Sequence, residues 1–235
     1  MPRDARVYLR DAKQPSRLLW SSKFEIDRQS TIIRFGDFDN VNRIKMLIIT
    51  DSASSYALNK EGSEYSVTEI RRYAQGRAVP LLPLDPLKPS RNVKVGRSIY
   101  AKDELFFINR VKPFSYGDLF KVFWQEQGIQ LVGISFPKSI GFDNLNLADM
   151  DSDSVDEIVL SEVRGRVGGR EEPAVKNRRD VVHIIRWNGK EYVKMWTSKP
   201  LGEITQVLVD DITGDGKKEI IVGNARGEIH IFGQK

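Results

Sequence analysis

Two short stretches of this chain concentrate oxygen-bearing side chains in one spacing. DMDSDSVDEIVL begins at Asp149 and DITGDGKKEIIV at Asp211, and each places an oxygen side chain at positions 1, 3 and 5 and an acid at position 9. Calcium is a hard cation that takes about six to eight oxygen ligands, so alternate residues of a tight loop can converge on it while the chain turns. Asp149, Asp151, Asp153 and Glu157 would form one cage with the Val155 carbonyl; Asp211, Thr213, Asp215 and Glu219 would form the other with the Lys217 carbonyl. Gly216 stands at position 6, where a sharp turn favours a residue without a Cβ, whereas Ser154 takes that place at some conformational cost. Magnesium fits less well, because it keeps its waters. The same side chains can also make Asx-turns with no ion.

A third acidic stretch, DFDNVNRIKMLII from Asp37, has Val41 at position 5 and Lys45 at position 9, which puts an ammonium where an ion would sit, so no calcium is expected there. Other chemistry is sparse. His183 and His230 each lie in an apolar β-like run with no carboxylate or nucleophile beside them, and GRVGG at 165–169 lacks both the phosphate-loop spacing and a following helix. No acid, base or nucleophile can be assigned, and the chain is expected not to be an enzyme.

The elements that would position these loops read as strands. IIRFGDF, KMLIIT, DEIVL, ITQVLV and EIIVG are short Ile- and Val-rich runs bounded by Gly, Asp and Asn. Asn188-Gly189, between VVHIIRW and EYVKMW, predicts a two-residue type I′ hairpin. Residues 181–232 align with residues 6–50, and a further copy runs from KVFWQEQGIQ through the Asp149 loop, with Trp20, Trp124 and Trp196 ahead of the acidic loops as core residues. The loops begin 112 and 62 residues apart, and half of 112 is 56, so an eroded unit without an acidic loop fits at 91–111. Residues 71–97, with Pro80, Pro83, Pro86 and Pro89, read as an extended insertion or linker, and 164–180 as a second insertion within a unit.

The loops resemble an EF-hand at the front and depart from it at the back, since position 12 is Leu160 or Val222 in place of a bidentate Glu and a strand follows directly. The pattern is similar to the FG-GAP or VCBS repeat of integrin-like β-propellers, whose blades carry a D-x-[DN]-x-D-G-x-x-[DE] loop before a short buried strand. Phe35-Gly36 is a further match. The resemblance covers roughly residues 5–60 and 120–235. It implies an all-β fold: one β-propeller-like domain over 1–235, small with about four blades, or a partial ring completed by another chain or by further sequence. The chain opens on strands that come late in the unit and ends on early ones, the permutation a ring needs to mix its termini in one blade. It also implies a non-catalytic binding or scaffold module for a protein or glycan partner, with calcium stiffening the blade loops. A weaker alternative is a polysaccharide-active enzyme domain, since some polysaccharide lyases resemble this architecture.

Composition bounds the remaining classes. The chain has 235 residues, 40% hydrophobic, a net charge of +5 and no cysteine, so it can bury a core but has neither a disulfide framework nor a thiolate metal site. Arg71, Arg72, Arg77, Lys88, Arg91, Lys94 and Arg97 cluster in one stretch, and Arg164, Arg166, Arg170, Lys176, Arg178 and Arg179 in another. They offer the competing reading, a basic subunit docking on an anionic partner or nucleic acid. The first twenty residues carry charges throughout with no apolar run of signal-peptide length, and no stretch is long enough to span a bilayer. The family resembled is often found outside the cytoplasm, while the sequence shows no export signal, so the compartment stays open.

Overall fold

A computed structural model describes residues 3–10, 13, 14, 16, 18–26, 31–36, 38, 45–50, 54–61, 64–74, 77–79, 93–98, 103–109, 118–125, 128–134, 136, 141–164 and 178–233. Among them the protein is all-β, with eighteen strands in five antiparallel sheets and no helix. No helix of the described residues is therefore long and apolar enough to cross a membrane. The chain divides into two compact units, residues 1–89 and 90–235.

In the first unit, β1 (Arg3–Arg10) pairs with β2 (Leu18–Ile26). A five-stranded meander follows: β3 (Thr31–Gly36), β4 (Lys45–Thr50), β5 (Ser54–Glu61), β6 (Glu64–Ala74) and β7 (Arg77–Val79). This narrows the linker expected at 71–97. Residues 71–74 belong to β6, where they pair across to β5 and β7, and 77–79 form β7. Residues 93–97 form β8, and the proline-rich centre of the stretch, 80–92, lies outside the described residues.

The second unit is three successive meanders. The first is β8 (Val93–Arg97), β9 (Asp103–Asn109), β10 (Asp118–Gln125) and β11 (Gly128–Ile134). The second is β12 (Phe142–Ala148), β13 (Glu157–Glu162), β14 (Val181–Trp187) and β15 (Tyr192–Thr197). The third is β16 (Ile204–Asp210), β17 (Glu219–Asn224) and β18 (Ile229–Phe232). Each keeps sequence order, so every strand pairs with its chain neighbour. Residues 91–111, expected as a separate eroded unit, contribute β8 and β9, which share one sheet with β10 and β11.

The middle sheet is covered on both faces. Leu145, Ile158, Leu160 and Ile185 pack with Phe106, Ile108, Leu119 and Ile134 of the first meander, while Val159 and Val182 pack with Val207, Ile220 and Val222 of the third. All six residues of β13 are buried, Glu157 and Glu162 included, which is why Ile158, Val159 and Leu160 follow one another without alternation. The opening strand β12 touches β8 and β9 on one side and β16 on the other. Gly96 permits the closest part of this approach, since a Cβ there would lie 2.7 Å from Leu147 Cδ1.

One turn departs from its expected form. The β14–β15 hairpin exists, but its loop has four residues, Asn188 to Glu191, between the paired Trp187 and Tyr192. Only Gly189 there has a positive φ, 96°. The Asn188 side chain accepts the N–H groups of Lys190 and Glu191, so an Asx-turn takes the place of the type I′ geometry.

Candidate metal centre

Both complete acidic loops join the first strand of a sheet to the second: the Asp149 loop links β12 to β13, and the Asp211 loop links β16 to β17. The Asp37 stretch falls between β3 and β4 in the same position. Most of that loop lies outside the described residues, but Phe38 within it is buried, 3% exposed, while Phe35 ahead of it is 59% exposed.

The two loops share one hydrogen-bonding plan. Asp149 accepts the N–H groups of Asp153 and Ser154 on its two carboxylate oxygens; Asp211 accepts those of Asp215 and Gly216 in the same way, and that of Gly214 besides. Asp153 accepts from Val155, as Asp215 does from Lys217. Glu157 reaches back to the N–H of Met150, and Glu219 to that of Ile212. Positions 4 and 6 are left-handed in both: Ser152 and Ser154 at φ 65° and 68°, Gly214 and Gly216 at 75° and 85°. A serine held there is strained relative to glycine, so the carboxylate-to-amide bonds must hold the turn in place.

Charge separates the loops. Residues 149–157 hold five carboxylates and no base, whereas 211–219 hold three carboxylates and two lysines. The carboxylates of Asp149, Asp151 and Asp153 converge with ligand oxygens within 4.8 Å of one another, the one such acidic group found among the described residues. Thr213 stands where Asp151 stands in the other loop.

The surprise in the site is Arg186 of β14. Its Nη1 lies 2.5 Å from Asp151 Oδ2, its Nη2 pairs with Asp153, and its Nε is 3.5 Å from Glu157 Oε1. Glu157 is 3% exposed and its Oε1 has no hydrogen-bond partner. Burial, reinforced by the carboxylates of Asp151 and Asp153, lifts the Glu157 pKa to about 7 despite the Met150 N–H and Arg186. Asp211, by contrast, is held below the usual carboxylate range by the N–H of Gly216 first, then those of Gly214 and Asp215.

A hard divalent cation fits the Asp149 loop, where convergent carboxylates, a buried carboxylate oxygen without a hydrogen bond and an excess of negative charge all favour one. Asp149, Asp151, Asp153 and Glu157 would hold it, with Arg186 displaced. The carboxylates of the Asp211 loop accept the same kind of backbone N–H bonds, but Lys217 and Lys218 lower its negative charge.

A polar cluster that the sequence did not announce lies in the same sheet. His183, fully buried, has Nε2 2.6 Å from Glu162 Oε2 and Nδ1 2.8 Å from Thr197 Oγ1. Arg164 and Lys194 also pair with Glu162. Burial raises the Glu162 pKa, but His183, Arg164 and Lys194 together outweigh it and bring the value to about 2. Both ring nitrogens are engaged, so His183 has no open side for a substrate. Pairing of β13 with β14 brings together residues 21 apart, and no local pattern marks such a pair.

The basic residues fare unevenly. Arg71 and Arg72 lie in β6 and Arg77 in β7, while Arg166 and Arg170 fall outside the described residues. Arg179 and Arg164 are both exposed, and Arg164 pairs with Glu162. Arg178 is paired within the fold. It is 10% exposed and bonds Asp180 at 2.5 Å and Glu203 at 2.8 Å, so its guanidinium is committed within the fold. Trp196 packs edge-on to Phe232 at 5.1 Å beside the second core. Trp124 closes the third strand of its sheet as Trp187 does, and so is not the counterpart of Trp196.

Comparison with protein-family models and with curated proteins finds no match.

Proposed function

We propose that the chain is a non-catalytic binding or scaffold module of β-propeller type, complete or partial, in which calcium stiffens the loop from Asp149 to Glu157. The observation that carries the reading is the shared loop plan, one set of carboxylate-to-amide bonds and left-handed positions repeated at the first turn of consecutive sheets. Sheets whose opening strands touch and whose faces cover one another are what stacked blades require. The ion would neutralise the loop and allow the other loops at that end to present a rigid surface to a protein or glycan partner.

Calorimetric titration with calcium and melting in chelator test this. A hundredfold excess over the dissociation constant stabilises by about 2.7 kcal/mol, a rise of about 5 to 10 °C in a chain of this length. The heat should vanish in a double variant, Asp151→Asn with Asp153→Asn. No heat, and a melting temperature indifferent to chelator, would remove the ion from the reading. Capture of a partner that persists unchanged in chelator would remove its role in binding.

A further inference from the structure

A cleft between the first and second meanders of unit 2 holds two buried polar groups without hydrogen bonds. Glu104 of β9 is 1% exposed, and neither of its carboxylate oxygens has a hydrogen-bond partner. Its charge is met by Lys121 of β10, Nζ to Oε2 3.1 Å. Across the cleft, Trp187 Nε1 is buried and likewise without an acceptor. Tyr192, Arg97 and Asp156 also line it, with Ser98, Phe106 and Val155. The volume is about 360 Å³ with the open mouth included, at the low end of ligand pockets, and the enclosed part is no larger than a water or a hydroxyl.

The lining selects a chemical class. Glu104 and Asp156 offset Arg97 and Lys121, so the lining has no charge excess that would select an anion, and two buried polar groups that need partners disfavour an apolar ligand. A cation is disfavoured because the aromatic faces already carry one: Lys121 Nζ lies 5.7 Å from the Trp187 ring centre and 5.5 Å from that of Tyr192. What remains is a neutral group that donates to a carboxylate and accepts from an indole N–H and an ammonium. A hydroxyl does both with one atom, and neighbouring hydroxyls on a ring do so in the space available.

We infer that this cleft binds one pyranose ring of a glycan, with a ring hydroxyl inserted between Glu104 and Trp187 Nε1 and the rest of the sugar in the mouth. The inference deepens the proposed binding function and does not depend on calcium.

The full chain is titrated with the methyl glycosides of glucose, galactose, mannose, fucose and N-acetylglucosamine, followed by saturation-transfer NMR and tryptophan fluorescence. At least one should bind saturably, and Glu104→Gln and Trp187→Phe should each weaken it about tenfold to a hundredfold, since each removes a buried hydrogen bond to the sugar, that of Glu104 to a charged group. Trp187→Phe keeps an aromatic side chain while removing the N–H and the five-membered part of the indole, so it decides the matter if Glu104→Gln fails to fold by circular dichroism. Binding of no glycoside, or binding that neither variant changes, overturns the inference. So does a crystal soaked in the best glycoside that shows only a water between Glu104 and Trp187. Calcium is titrated into the same samples, and calcium heat without glycoside binding removes the sugar site while leaving the proposed ion in place.

Discussion

Replacing Arg186 with methionine should weaken the ion-free protein and strengthen its grip on calcium. The guanidinium pairs with Asp151, Asp153 and Glu157, and a cation bound by those carboxylates must break all three pairings. Asp151 and Asp153 are 43% and 35% exposed and Arg186 itself 34%, so solvent screening limits each of those pairs to about 0.5 kcal/mol. Glu157 is 3% exposed, and its longer contact of 3.5 Å contributes about 1 kcal/mol more. The sum, about 2 kcal/mol, is lost in chelator, where Arg186→Met should melt about 4 to 8 °C below the parent. Calcium binding no longer has to overcome that amount, so the dissociation constant should fall roughly thirtyfold. Melting in chelator and calorimetry at fixed ionic strength give both numbers. An unchanged or weaker affinity in Arg186→Met would refute the reasoning, because it would mean that the arginine and the ion do not compete.

Gly96→Ala should cost about 1 to 3 kcal/mol in urea denaturation, because its Cβ would meet Leu147 Cδ1 at 2.7 Å and Asp156 Oδ2 at 3.2 Å where β8 approaches β12; a neutral effect would deny that approach. Gly216→Ala should cost about 1 kcal/mol by backbone strain alone, since φ is 85° and nothing lies within 4 Å of the new Cβ. Ser154→Gly, at φ 68°, should raise the melting temperature by relieving the same strain. Glu162 titrates near 2 in the fold against an ordinary 4.5. Its contribution of about 3 kcal/mol is therefore complete above that ordinary value and lost as pH falls through about 2, and urea midpoints of Glu162→Gln should lack this acid limb.

Local chemistry made much of this protein legible in one dimension. Ile- and Val-rich runs between turn residues mark strands whatever surrounds them, so the all-β class could be read directly. The acidic loops were equally legible, because their hydrogen bonds run between residues at most seven apart, as from Met150 to Glu157. Asn188-Gly189 marked a hairpin but not its geometry, which the Asn188 side chain altered.

Groups that meet across strands gave no such signal. Arg186 reaches Asp151 from 35 residues away, and His183 reaches Glu162 from 21. Glu104 and Trp187 face one cleft from different sheets. These meetings depend on strand register and on how sheets stack, which no short window of residues encodes. The sequence by itself determined strands, turns and the oxygen spacing of two loops. Tertiary structure alone decided that Arg186 meets the carboxylates of Asp151, Asp153 and Glu157, and that Arg178 pairs with Asp180 and Glu203.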